Sequence, residues 1–235
     1  MLPIIISENQ GGFVPNKKII DNVIIVQEVV HSIMLRQEKG LIIKLDMANA
    51  FDMVSYPSLM AILQKLGFSR EIMEVIQACI STPWIAPLIN GRPSNFFQST
   101  RGLRKGCSLS PFLYIIMAET LSRALEKQRK ERNITVIRIE KGVKIINHSL
   151  FSDDTLLQGG TSTIVARRFK KVLDYFLQVS GGLLNNTKCR IYGWNTPPRT
   201  MQRISQILYI HVQEKWTHLF YLGLPISKEN MKVEI

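Results

Sequence analysis

The chain is poor in cysteine: of 235 residues only Cys79, Cys107 and Cys189 carry thiols. None belongs to a Cys-x-x-Cys pair and the count is odd, which argues against a disulfide framework or a zinc ribbon and fits a reducing, intracellular compartment. His31, His148, His211 and His218 are scattered and match no zinc-ligand spacing. No apolar run approaches the length of a membrane span, so no membrane partner is expected. The opening MLPIIISENQ has no basic residues before its short apolar run, so no secretory signal is expected. Internal repeats and low-complexity tracts are absent from the sequence.

Acidic residues are also in short supply. There are 18 Asp and Glu against 30 Lys and Arg, a formal net charge of +12. Such an excess points to a polyanionic partner, nucleic acid or an anionic surface, without separating an enzyme from a binding module. What is present is a globular composition, 46% hydrophobic and 20% charged, which excludes a disordered chain. The length suits one large domain or two small ones.

Hydrophobic spacing predicts a helix over 19–36, a buried strand from Leu41 to Leu45 ending at Asp46, and helices near 57–66 and 70–80. Gly67 is the expected stop of the first of this helix pair and Ser69 the cap of the second. Asn90-Gly91 between two apolar runs, 84–89 and 95–100, is a strong hairpin signal. Pro111 opens a helix running to about Arg132, with Ser110 as its expected cap. A strand is expected at 134–139, then a hairpin of 145–151 with 155–158 that has Ser152, Asp153 and Asp154 at its turn. An amphipathic helix carrying Phe169, Leu173 and Phe176 ends at Gly181-Gly182. A strand near 188–193 and a helix near 198–208 complete the pattern. Strands mixed irregularly with helices define an α+β class, with helices packed on one face of an antiparallel sheet.

Because acids are few, their placement is informative. Asp46 ends an apolar strand, and Asp153-Asp154 lies inside the apolar LFSDDTLL. Carboxylates at the edge of a core suffer desolvation and mutual repulsion, which a divalent cation relieves. Hard oxygen donors select Mg²⁺ or Mn²⁺ over zinc. Three carboxylates brought together by two strands are what two-metal phosphoryl transfer needs, and that chemistry requires Asp46 to meet Asp153 and Asp154. Ordinary turn chemistry is the competing reading of the Asp pair. Asp52 reads as a helix cap or turn residue.

Several blocks recur in order along almost the whole chain: ISENQGGFVPNKKIIDNV, KLDMANAFDMVSY, INGRPSNFFQSTRGLRKGCSLSPFLY, HSLFSDDTLL, SGGLLNNTKCRIYG and YLGLPI. Together they resemble the reverse transcriptase domain of non-LTR, LINE-type retrotransposons in the form common in plants. The resemblance implies a right-hand polymerase palm with part of the fingers. Residues 1–40 and 57–110 would be fingers and palm connections, 41–56 and 111–193 the palm, and 194–235 the end of the palm towards a thumb.

The resemblance also assigns roles. Asp46, Asp153 and Asp154 would be catalytic and would bind two Mg²⁺, or Mn²⁺. Phe51 matches an aromatic beneath the incoming sugar that selects deoxynucleotides, although a core aromatic is the simpler reading. Within Arg101-Gly102-Leu103-Arg104-Lys105-Gly106, Arg101 and Arg104 would contact template and primer, and Lys105 and Gly106 the nucleotide. Lys105 stands where the family has glutamine, Cys107 and Ser108 where it has Asp-Pro, and Asn49 where it often has lysine. Lys188 matches a family lysine that could act as an acid towards pyrophosphate, or serve only as a surface residue. The basic run from Lys127 to Arg132 fits a helix C-terminus meeting its dipole before it fits nucleic-acid contact.

The implied partners are an RNA template, a DNA primer and dNTPs, and the implied location is nuclear. Family members carry further fingers, a thumb and often an endonuclease, so a palm-centred fragment with weak or no activity is expected. A non-catalytic nucleic-acid-binding relic is the alternative. A nucleotidyl cyclase could reuse the Asp pair but has no need of so basic a surface.

Overall fold

A computed structural model of the protein describes residues 2–137 and 146–228. After the single turn α1 (Leu2–Ile5), helix α2 (Ile19–Leu35) buries Val23, Val26, Val30 and Ile33 along one stripe. Strand β1 (Gly40–Leu45) follows, then the short β2 (Met47–Ala48). Ser55 caps α3 (Tyr56–Lys65) by accepting from the Ser58 amide at 3.4 Å. Gly67 at φ 85° turns the chain, and Ser69 caps α4 (Arg70–Ser81) in the same way through the Ile72 amide.

The Asn90-Gly91 hairpin forms in two short stages. Strands β3 (Trp84–Ile85) and β6 (Phe97–Gln98) pair at its base, and β4 (Leu88–Ile89) and β5 (Arg92–Pro93) at its tip. Both turn residues have positive φ, 51° and 79°, as a type I′ turn demands.

Helix α5 (Ser110–Lys130) leads to β7 (His148–Phe151) and β8 (Asp154–Gly160). Helix α6 (Thr163–Ser180) stops at Gly181, whose φ is 77°. The remaining elements are β9 (Leu183–Leu184), β10 (Arg190–Trp194), α7 (Pro198–Leu208), and the hairpin β11 (His218–Tyr221) with β12 (Leu224–Ser227).

The central sheet has the order β10-β1-β8-β7 and is antiparallel throughout. Leu41, Ile42, Ile43 and Leu45 of β1 are all fully buried. Strands read as continuous apolar runs when both faces are covered, and that is the case here. Leu41, Ile43 and Leu45 join the larger core with Leu59 of α3, Leu113 and Leu121 of α5, Phe169 and Leu173 of α6 and Ile204 of α7. Ile42 and Leu156 face the other way, against Val26, Val30 and Ile33 of α2 and Leu219 and Ile226 of the β11–β12 hairpin. The expectation of helices on one face is therefore corrected: α2 and the last hairpin cover the second face.

Three local expectations also change. Ser110 is the first helical residue rather than the cap, and its hydroxyl donates to the Arg104 carbonyl at 2.6 Å. Asp154 is not in the turn but opens β8, leaving a two-residue turn of Ser152 and Asp153. Residues 134–137 form no strand, although Ile134 and Ile137 are buried, and 138–139 lie outside the described residues, as does residue 145. Among the described residues no helix is long and apolar enough to cross a membrane.

Candidate active site

The carboxylates sit where the buried part of the sheet ends. The β1–β8 register runs to Leu45 opposite Thr155, and the next step sets Asp46 opposite Asp154. Phe151 pairs with Asp154 across the β7–β8 turn, which places Asp153 at the tip beside them. Ser152 adopts a left-handed conformation, φ 56°, to make this tight turn. The sheet thus brings all three predicted residues to one edge: Asp46 just past the end of β1, Asp154 at the start of β8 and Asp153 on the β7–β8 turn. Among the described residues, no group of three or more His, Cys, Asp and Glu side chains closes into a metal cage.

The electrostatics at this edge are unbalanced. Burial pushes the Asp154 carboxyl above its usual range, and the charges of Asp153 and Asp46 add to the rise, while Lys44 opposes them. Lys44 is itself engaged, donating to the Phe220 carbonyl at 2.9 Å. The Lys188 ammonium stands 4.0 Å from Asp46 Oδ2. The residual negative charge on oxygen donors is the condition a hard divalent cation would relieve, so this edge fits Mg²⁺ or Mn²⁺ without being preformed for either.

Two phenols flank the aspartates. The Tyr114 hydroxyl, on α5, is pushed up first by burial and then by Asp153 and Asp154. Burial likewise raises Tyr221, on β11, with a smaller contribution from Asp154. Sequence reasoning missed both, because nothing local marks a tyrosine as facing a distant Asp pair. It also missed Cys189, which is fully buried behind Asp46 and accepts its amide N–H at 3.3 Å through Sγ.

Phe51 stacks on Tyr114, with ring centroids 4.7 Å apart and planes 21° from parallel. This stack joins the predicted sugar platform to the helix beneath the aspartates. The basic segment docks on the same turn: the Gly102 amide donates to the Val54 carbonyl and the Leu103 amide to the Phe51 carbonyl, both at 2.8 Å. Leu103 is buried, whereas Arg101, Arg104 and Gly106 are exposed beside it. Lys105 forms an exposed ion pair with Asp52 at 2.9 Å. Phe51, Lys105, Gly106 and Cys107 line a cavity of about 350 Å³. The structure therefore gathers the predicted nucleotide-binding residues around one opening, with Arg101 and Arg104 on a second cavity of about 530 Å³.

The family model described as reverse transcriptase (RNA-dependent DNA polymerase) matches residues 2–226, and the chain belongs to that family. It is 28% identical over 190 residues to the retrovirus-related Pol polyprotein from the type-2 retrotransposable element R2DM of Drosophila melanogaster, covering 81% of this chain and 17% of the polyprotein. The corresponding polyprotein from a type-1 R2 element of Popillia japonica is 28% identical over 162 residues, covering 68% of this chain and 26% of its own length. The chain thus spans roughly a quarter or less of these relatives. Among solved structures, telomerase from Candida albicans shares the fold at a TM-score of 0.61 and 15% identity, over 88% of this chain and 32% of that one. Apo telomerase from Candida tropicalis does so at 0.60 and 14%, over 93% and 39%.

Proposed function

We propose that this chain is the palm-centred part of a retrotransposon reverse transcriptase, extending a DNA primer on an RNA template with dNTPs. The observation that carries the reading is the β1–β8 register, which brings Asp46 and Asp154 to the same end of a buried sheet, with burial and neighbouring carboxylates raising the Asp154 pKa. Two Mg²⁺, or Mn²⁺, bound there would lower the pKa of the primer 3′-hydroxyl and stabilise the leaving pyrophosphate.

The protein's own residues supply position. Asp46, just past the end of β1, and Asp154, at the start of β8, would hold the ions together with Asp153 on the β7–β8 turn. The Phe51 ring, stacked on Tyr114, would underlie the sugar and disfavour a 2′-hydroxyl. Arg101 and Arg104 meet backbone phosphates of the hybrid, while Lys105 and the open backbone of Gly106 face the nucleotide. Lys188, which stands beside Asp46, would serve the leaving pyrophosphate.

A non-catalytic nucleic-acid-binding role is the second reading. The Lys105–Asp52 pair favours it, because that lysine is occupied by a carboxylate rather than turned over to a nucleotide. Primer extension on an RNA template with Mg²⁺ or Mn²⁺ separates the two. Short products that vanish in Asp154→Asn support the polymerase reading. No extension with either ion, alongside salt-sensitive binding of an RNA–DNA hybrid, supports the second.

A further inference from the structure

The Gln10-Gly11-Gly12 stretch has no part in the chemistry above, yet it lies against the turn that carries the aspartates. Gln10 makes an isolated parallel bridge to Leu150 of β7. The Leu150 amide donates to the Asn9 carbonyl and the Gly11 amide to the Leu150 carbonyl, both at 2.8 Å. Asn22 Nδ2 donates to the same Leu150 carbonyl at 2.8 Å. The segment approaches so closely that a Cβ on Gly12 would stand 2.7 Å from the Ser152 nitrogen, and one on Gly11 would press on the Asn22 side chain. The neighbour at position 12 is backbone, so glycine is required there for this contact.

The Gln10 side chain is 1% exposed. Its Oε1 accepts from the Ser152 amide at 3.1 Å and from the Gly12 amide at 3.0 Å. Only the carbonyl end of the amide can accept both, so its orientation is fixed. The Nε2 group is consequently buried with no hydrogen-bond partner among the described residues. Leaving such a donor unpaired is unfavourable, and Ser152 is held in a left-handed conformation that L residues rarely adopt. Both penalties fall at one point, where the turn is pinned by a side chain 142 residues away. Backbone strain of this kind persists only where its surroundings over-determine it.

We propose that Gln10 is a positioning residue that fixes the Ser152–Asp153 turn, and through it the spacing of Asp153 and Asp154. The metal arm of the test rests on the reading of these aspartates as ion ligands; the backbone arm does not.

The test uses the full chain. In the wild-type protein the Ser152 amide should be protected from hydrogen exchange. In Gln10→Ala and Gln10→Asn, the second a methylene too short to reach, Ser152 exchange should rise about 10-fold with the β1 amides unchanged. Gln10→Glu keeps the accepting oxygen and should restore protection. Mn²⁺ affinity by electron paramagnetic resonance should fall about 10- to 100-fold in Gln10→Ala, with Asp154→Asn as the reference for a lost ligand. An unprotected Ser152 amide in the wild-type chain, or exchange unmoved by both shortened side chains, overturns the proposal. If Asp154→Asn leaves Mn²⁺ binding unchanged, the metal reading falls, and the exchange data alone still decide whether Gln10 sets the turn.

Discussion

Gly102→Ala tests whether the basic loop is held against the Phe51 turn as tightly as the contacts indicate. Gly102 has φ 89°, and an added Cβ would lie 2.7 Å from the Asp52 carbonyl oxygen and 3.0 Å from its carbonyl and α carbons. The first effect, a left-handed alanine, costs about 1–2 kcal/mol. The second is a collision with backbone, which no rotamer change relieves, and overpacking of that kind costs about 1–3 kcal/mol. The loop cannot simply lift away. Its amides at 102 and 103 are bonded to the Val54 and Phe51 carbonyls, and the Tyr56 hydroxyl donates to the Gly102 carbonyl at 2.8 Å. The sum is about 2–5 kcal/mol, a large share of the roughly 5–15 kcal/mol that separates folded from unfolded domains. Gly106→Ala is the internal control, because its φ is 81° but nothing lies within 4 Å of an added Cβ. It should lose only the conformational part, about 1–2 kcal/mol. Urea unfolding of the three proteins measures the difference directly. RNA–DNA binding should weaken more in Gly102→Ala, since Arg101, Arg104 and Lys105 ride on the displaced loop. Equal unfolding midpoints for the two alanine variants would refute the close approach.

Asp154→Asn should raise the melting temperature at pH 7 while abolishing primer extension. Burial and two neighbouring carboxylates raise the Asp154 pKa in the folded state, so the folded chain holds that proton more tightly than the unfolded chain. The associated stability is fully present below the ordinary value of 3.8 and is lost as pH rises through the raised folded value. The advantage of the asparagine variant should therefore shrink as pH falls, which melts across an acid-to-neutral series will show. Phe51→Ala removes the stack on Tyr114, worth about 0.5–1.5 kcal/mol beyond its buried area. It should also narrow the preference for dNTPs over rNTPs in single-nucleotide incorporation; an unchanged ratio would return Phe51 to the role of a core aromatic.

The features legible in the sequence were those with a local cause. Gly67, Ser69, Asn90-Gly91 and Gly181 each act within a few residues of themselves, and each stands at the predicted stop, cap or turn. The apolar run ending at Asp46 was legible for the same reason. The stretch 134–137 misled because hydrophobicity reports burial, not pairing. Ile134 and Ile137 are buried, yet among the described residues the stretch joins no strand; the Thr135 carbonyl accepts from the Gly160 amide, at the end of β8, at 2.9 Å. Long-range partners leave no such trace. Nothing near Ser152 announces that Gln10 will hold its amide, and nothing near Asp46 announces Cys189 behind it. Four strands could be paired in many orders, and alternation within β1 could not say that α2 and the last hairpin would cover its second face.

The position of the carboxylates also separates the chemistry from the fold. The larger core reaches Leu45 on β1 and the second core reaches Leu156 on β8, and Asp46, Asp153 and Asp154 lie past them at the edge, without a packing duty that an amide could not fill. The charge of Asp154 opposes folding rather than aiding it. Phe51, Tyr114 and Gln10 are different, because each is a packing or clamping group with a neighbour that depends on it. Loss of activity in the aspartate variants with an intact melt therefore speaks to chemistry. Loss of activity in the other three must be read against backbone exchange or nucleotide selection before it is assigned to anything but structure.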